Sequence, residues 1–395
     1  MRLGATPFRL LLVAIAGQFL FGLVLALPGT LFGVAGWTTA LGFDVAAQAR
    51  LLVVFFTGQF LFTALAGALV DRAGCQRVIA LGSVVMAAAL ALLAGAARAS
   101  EASGAALLLA AGGAAINAGS NTLVSMAYGA RRGAMLSVMA TFGAVGALMA
   151  PLVFRGQLDG AAVSSRLWGL SFLALGVTAL PLAVRALGPG PRGQSLLRSA
   201  GLLRQRPLLG LIALLALDFG LEAVLAGWIA AYTIAVFPAQ SGAAMIALYW
   251  SGLCAGRLLT PMVLARSPKL VVVLAAASAA AVSTFGMSLA QTPLVLGGVV
   301  LLAGLAVGPL APTIVSVAGD RYPRQMGAAI GLLLSAAQVG GMVMPWLTGR
   351  ATIEYGYRAG LIVPALAAAG VAAGTALAWR QRARRVPVPA QVRAQ

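Results

Sequence analysis

The chain has no histidine, a single lysine (Lys269), two cysteines (Cys75 and Cys254) and only eight acidic residues among 395. Each scarcity removes a class of function. No nucleophile–base set or metal-ligand cluster can be assembled without histidine here, so no enzyme, metal or cofactor is expected. Two cysteines are too few for a metal cage, and both fall at membrane or cytoplasmic positions in the topology below, where a disulfide is not expected. Charged residues make up 9% of the chain, against about 25% in a soluble domain.

What is there is apolar. Hydrophobic residues reach 61%, more than a chain dispersed in water tolerates, so the lipid bilayer is the expected partner. Only helix bundles and closed barrels span a bilayer. The apolar runs are about 20 residues long or more, the length of a spanning helix and not the ~10-residue alternation of a barrel strand. The first run, from Phe8 to Trp37, is longer than a signal-peptide core and reads as a span. The net charge of +19 raises nucleic acid as a partner. The arginines exclude it, because they punctuate the loops between apolar runs and form no patch.

Twelve spans are expected, over roughly 8–34, 45–70, 77–97, 103–129, 133–154, 166–187, 207–236, 240–264, 269–290, 292–318, 324–349 and 357–380. The one long polar connection, GPGPRGQSLLRSAGLLRQR, is rich in Gly, Pro, Ser and Arg. It divides an N-terminal six-helix bundle (1–187) from a C-terminal one (207–380), with a linker at 188–206 and a tail at 381–395. Of the 27 Lys and Arg residues, six (Arg50, Arg98, Arg155, Arg166, Arg350 and Arg358) fall on one side of this topology and the other 21 on the opposite side. The positive-inside rule then places both termini in the cytoplasm of a cell membrane.

The two halves repeat each other in order. Phe21-Gly22-Leu23 and Gly29 match Phe219-Gly220-Leu221 and Gly227; TLVSMA (122–127) matches TIVSVA (313–318); Val145-Gly146 with Pro151 matches Val339-Gly340 with Pro345. Two six-span units in parallel repeat are the arrangement of one large transporter class.

Two of the eight acids, Asp218 and Glu222, lie in the otherwise apolar stretch 207–237. Four residues apart, they share one helix face. A charge near the bilayer centre costs roughly 3 kcal/mol on insertion scales, so intramembrane acids mark functional cavities. Two neighbouring carboxylates also resist ionising together, which suits a proton-coupling site. Structural burial against a hydroxyl, amide or Arg is the competing reading. In the repeat, Leu20 and Val24 stand opposite Asp218 and Glu222, so the acids belong to one half only.

Between the second and third spans the chain reads GALVDRAGCQR (67–77). It resembles the major facilitator signature G-x-L-x-D-R-x-G-R-K, with Gly67, Asp71, Arg72, Gly74 and Arg77 in register and Cys75-Gln76 departing from it. The resemblance implies a cytoplasmic gating motif in which Gly67 and Gly74 allow close approach and a sharp turn. A narrower resemblance, to the fucose–proton symporter and glucose/galactose transporter branch, rests on Glu222 … Gly227-Trp228 … Tyr232, on Tyr249-Trp250-Ser251-Gly252 … Gly256-Arg257 and on Gly308-Pro309. That branch carries acids in its first and fourth spans. Here those spans hold Gln18, Asn117 and Asn121, which moves the expected coupling site to Asp218 and Glu222.

By resemblance the fold is all-α with twelve transmembrane helices in two pseudo-symmetric six-helix bundles, and the chain carries solute as a monomer. Substrate contacts are expected from Glu222, from the amides of Asn117, Asn121, Gln18 and Gln338, and from Trp228, Tyr232 and Trp250. Asn117 and Asn121 equally suit interhelical hydrogen bonding, and the aromatics also suit gating of the outer end or interface anchoring, the commoner role. Arg257 is expected at the cytoplasmic end of the eighth span, as a gate residue that caps carbonyls or pairs with an acid. The expected activity is proton-coupled uptake of a small polar, sugar-like solute, with sodium as the alternative ion. Proton-driven efflux of a drug-like or metabolite substrate is the alternative direction, and a non-transporting receptor the alternative class.

Overall fold

A computed structural model describes residues 5–128, 132–156, 159–184, 202, 204–237, 242–322 and 326–385. Most of the linker and the end of the tail lie outside these residues. Among those described, twelve long helices follow one another: α1 (Ala5–Phe32), α2 (Val45–Ala73), α3 (Cys75–Ala94), α4 (Ala99–Tyr128), α5 (Arg132–Val153), α6 (Gly160–Ala183), α7 (Arg206–Val236), α8 (Gly242–Leu264), α9 (Lys269–Leu289), α10, α11 (Met326–Tyr355) and α12 (Ile362–Arg385). The tenth is broken at Gly308-Pro309 into α10a (Pro293–Val307) and α10b (Leu310–Arg321). Eleven are long and apolar enough to cross a bilayer, and α5 contributes a shorter apolar stretch, Val138–Val153.

The two largest differences from the expected boundaries, six residues each, are at the start of α6 and the end of α11. α6 starts six residues early because Asp159 caps it, its carboxylate accepting from Ala162 N at 2.7 Å. Arg166 therefore sits inside the helix, and its guanidinium reaches back to the carbonyl of Val153. α11 runs past Gly349 to Tyr355, which brings Arg350 inside a helix as well.

Each bundle repeats the packing of the other. α1 packs on α4 and α5, as α7 does on α10b and α11; α3 packs on α4 and α6, as α9 does on α10a and α12; α2 packs on α4, as α8 does on α10a. The glycines matched in the sequence repeat sit at equivalent crossings. A side chain at Gly22 would strike the Gly143 carbonyl, and one at Gly146 the Phe19 carbonyl, at the α1–α5 crossing. Gly220 and Gly340 do the same at the α7–α11 crossing, against Met344 and the Ala216 carbonyl. Small residues let helix backbones approach in lipid, where no hydrophobic effect drives helices together.

The halves meet through α1–α7, α2–α11 and α5–α8. The close approaches between them lie in the arginine-poor half of the molecule or near its middle. Gly29 rests on Ala226 and Gly227, Gly33 on Ala230, Gly227 on Leu52, Gly349 on Ala49 and Gly341 on Phe56. The repeat-related pair Gly29 and Gly227 thus meet across the pseudo-symmetry axis. Outside this seal Trp37 stacks on Phe43 with ring centroids 5.2 Å apart.

Toward the arginine-rich end, no described residue continues this line of close contacts at Gly67. Ala49, Phe56, Thr63 and Gly67 follow one another along the same face of α2, at about a whole number of turns. The first two touch α11, but a side chain built at Gly67 would meet nothing within 4 Å. The close approach expected of Gly67 is therefore not made with any described residue. Arg72 and Arg77 are exposed, and the side chain of Asp71 lies outside the described set. Among the described residues, the close glycine contacts between the halves are gathered toward the arginine-poor end.

Gly74 turns the chain in a single residue between α2 and α3, with φ +86°, a value favoured by glycine. Gly74→Ala is expected to cost roughly 1–3 kcal/mol, read as a lower unfolding temperature in detergent.

Candidate functional site

Pro207 opens α7 near its first position, where a missing N–H costs nothing, and no helix breaker follows before Phe237. The helix carries both acids. Asp218 is fully buried, and neither of its carboxylate oxygens has a hydrogen-bond partner among the described residues. Glu222, one turn on, faces the guanidinium of Arg257 on α8, whose Nη2 lies 3.4 and 3.5 Å from the two carboxylate oxygens. The side chains keep 16% (Glu222) and 25% (Arg257) of their surface exposed.

This corrects the expected place of Arg257. It lies seven residues before the end of α8, about 10 Å inside it, and points at α7 instead of closing the cytoplasmic mouth. The reason is charge pairing, since an arginine at this depth is stable only against a carboxylate or a polar cavity. The site is thus two acids and one cation, not an isolated acid pair.

Three glycines, Gly252, Gly256 and Gly304, bring α8 and α10a into backbone contact. The break in α10 falls against this seam, because a side chain at Gly308 would meet the backbone nitrogen of Arg257 at 2.9 Å. Tyr249 and Trp250 complete the α8 face. Both are buried, both keep their polar atoms unpartnered, and their rings meet edge to face at 5.4 Å. Tyr249 lies within electrostatic reach of Glu222, Arg257 and Asp218. The sequence reading named it only within the eighth-span pattern and gave it no place in the site. Its signal was spacing, because Tyr249, Leu253 and Arg257 follow at four-residue steps along one face.

The remaining expected contacts divide. Trp228 is buried against Tyr357 and Gly349, its ring centroid 6.4 Å from that of Tyr357. Tyr232 donates to the Met287 carbonyl at 2.6 Å. Both belong to the arginine-poor end and not to the acid cluster. Helical phase explains the correction: at about 100° per residue, positions six and ten beyond Glu222 turn well away from it. Gln18 is buried against Gly143 with its amide oxygen unpartnered. Asn117 and Asn121 are half-buried, and the amide of Asn121 donates to the side-chain oxygen of Asn117 at 2.8 Å. Gln338 is half-buried on α11. No group of three or more His, Cys, Asp and Glu side chains that could hold a metal ion occurs among the described residues.

No family model matches the chain, and no curated protein matches it. Its likeness is to solved structures. A bacterial homologue of the human lysosomal transporter Spinster, in an inward-facing and unoccupied conformation, aligns with a TM-score of 0.78 and 16% identity over 98% of this chain and 100% of that one. A D-xylose–proton symporter aligns at 0.75 and 14% identity, over 93% and 97%. The fucose:proton symporter of E. coli aligns at 0.67 and 17% identity, over 94% and 99%. The latter transporter belongs to the Major Facilitator Superfamily. The chain has the major facilitator fold, as a multi-pass membrane protein.

Proposed function

We propose that the protein is a secondary carrier that moves a small polar, sugar-like solute together with protons by alternating access. The observation that carries this reading is the cluster on α7 and α8, where Asp218 is buried without a partner beside the ion pair of Glu222 and Arg257. A buried carboxylate with no partner is far cheaper neutral than charged. Asp218 therefore holds a proton in this state and releases it where water reaches it. Close contacts between the halves gathered toward the arginine-poor end suit one of the two states that alternation requires. The arginine-rich end faces the cytoplasm of a cell membrane on this reading.

The amides of Asn117, Asn121 and Gln338 suit hydroxyl groups of the solute. The names of two fold neighbours, a xylose–proton and a fucose:proton symporter, point the same way. The test is reconstitution in liposomes under an imposed pH gradient, with internal pH followed as sugars, organic acids and cationic dyes are added in turn. Solute-dependent proton entry with the gradient is expected for a symporter. Proton movement opposed to solute flow identifies an exporter, and no solute-dependent proton flux with any class rejects the reading.

A further inference from the structure

Arg257 makes less use of its guanidinium than its position demands. A guanidinium offers five N–H donors. Among the described residues only Nη2 has a partner, and both of its contacts with Glu222, at 3.4 and 3.5 Å, are long. A charge-assisted pair closes to about 2.7–2.9 Å and engages two nitrogens when it is bidentate. Nη1 and Nε, one planar edge of the fork, are left without a partner on a side chain that remains a quarter exposed. Inside a membrane such donors are costly unless something arrives to take them.

Three further features converge on this spot. The hydroxyl of Tyr249 and the indole N–H of Trp250 are buried and unpartnered on the same helix. The break in α10 touches the backbone of Arg257. It starts the twelve-residue helix α10b there, which turns the positive end of its dipole toward the seam. All of these favour a ligand that brings acceptors and negative charge. Among the described residues Glu222 already answers to that description, and it does so loosely.

We infer that Arg257 is the specificity-determining residue, and that the solute is a hydroxylated monocarboxylate, a sugar acid rather than a neutral sugar. The inference rests on the carrier reading and sharpens its substrate class. The solute's carboxylate takes the free edge of Arg257 and displaces Glu222. Two carboxylates against one guanidinium leave an excess negative charge, which Glu222 removes by binding one proton. Solute and proton then cross as a neutral pair. Asp218 and Tyr249 are the other titratable groups facing this site on α7 and α8, with Cys254 one turn from Arg257 on α8. The described ionisable groups nearest the ends of the packed elements are Asp320 and Arg321 on α10b and Arg350 and Glu354 on α11. A phosphate monoester carries one charge more than a single proton on Glu222 offsets, so carboxylates are preferred.

The experiment uses the full chain in detergent and in liposomes, with gluconate and glucuronate paired against glucose, and glycerate against glycerol. Binding is read by tryptophan fluorescence and transport by counterflow. Each acid is expected to bind at least tenfold more tightly than its neutral partner. Arg257→Gln removes that preference, and Arg257→Lys keeps part of it. Glu222→Gln strengthens carboxylate binding several-fold, because it removes the competitor for Arg257, and lowers the number of protons entering with each solute by one. The opposite signs of the two variants distinguish recognition from a merely structural ion pair, whose loss weakens both alike. Equal binding of acids and neutral sugars overturns the inference while leaving the carrier reading standing, as does tighter binding of glucose 6-phosphate than of gluconate. Absence of transport with every solute class overturns the carrier reading itself.

Discussion

Asp218→Asn is expected to abolish uphill solute accumulation under a pH gradient while preserving downhill exchange. Asparagine is close in shape to a protonated aspartate, but it neither takes nor gives a proton. The native side chain is fully buried and its oxygens are unpartnered. Burial without a partner favours the neutral form, and on the carrier reading a return to the anion is coupled to the conformational change. With asparagine that coupling is absent, so accumulation falls to equilibrium whatever the gradient. The variant's unfolding temperature should be unchanged or raised, because a buried polar group that is never ionised costs less than one that is. Retained accumulation and an unaltered pH dependence would show that the acid is structural.

The second large effect is expected at Gly29. A side chain there would run into the carbonyl of Ala226 and the Cα of Gly227, across the interface between halves. Gly29→Leu should therefore leave each six-helix bundle intact and prevent the arginine-poor end from closing. Transport is expected to fall at least tenfold, with the protein still folded and still able to bind solute. Spin labels at Thr39→Cys and Tyr355→Cys, both exposed at that end on opposite halves, should move apart by pulsed electron spin resonance. Gly22 and Gly340 are the contrasting positions. Their contacts, with Gly143 and Ala216, lie within a single bundle. Leucine at either should lower the yield of folded protein, because those crossings do not open and close. If Gly29→Leu leaves the label distance unchanged, the outer seal does not depend on this contact.

Much of the fold was legible because lipid imposes simple rules on sequence. Apolar length marks a span, and arginine placement assigns its orientation. Repeated glycines mark where backbones must touch, and the matched pairs Gly22 with Gly220 and Gly146 with Gly340 occupy equivalent crossings. The acid pair was visible for the same reason, since carboxylates are conspicuous in an apolar run. Three things were not legible. Arg257 read as a residue of the cytoplasmic gate because the sequence does not show which neighbouring helix its side chain meets. Trp228 and Tyr232 read as cavity residues because their distance from Glu222 along the chain hides the rotation between them. Tyr249 read only as part of a span pattern because the two acids are 27 to 31 residues away on another helix.

The sequence by itself determined the membrane class, the twelve helices, the twofold repeat and the presence of intramembrane acids. Composition and periodicity are local quantities, and the bilayer reads them one segment at a time. Only the tertiary structure decided that Glu222 is held by Arg257 while Asp218 stands alone. It alone decided too toward which end the close contacts between the halves gather. Both depend on how helices from distant parts of the chain rotate and lean against one another, and no local pattern records that.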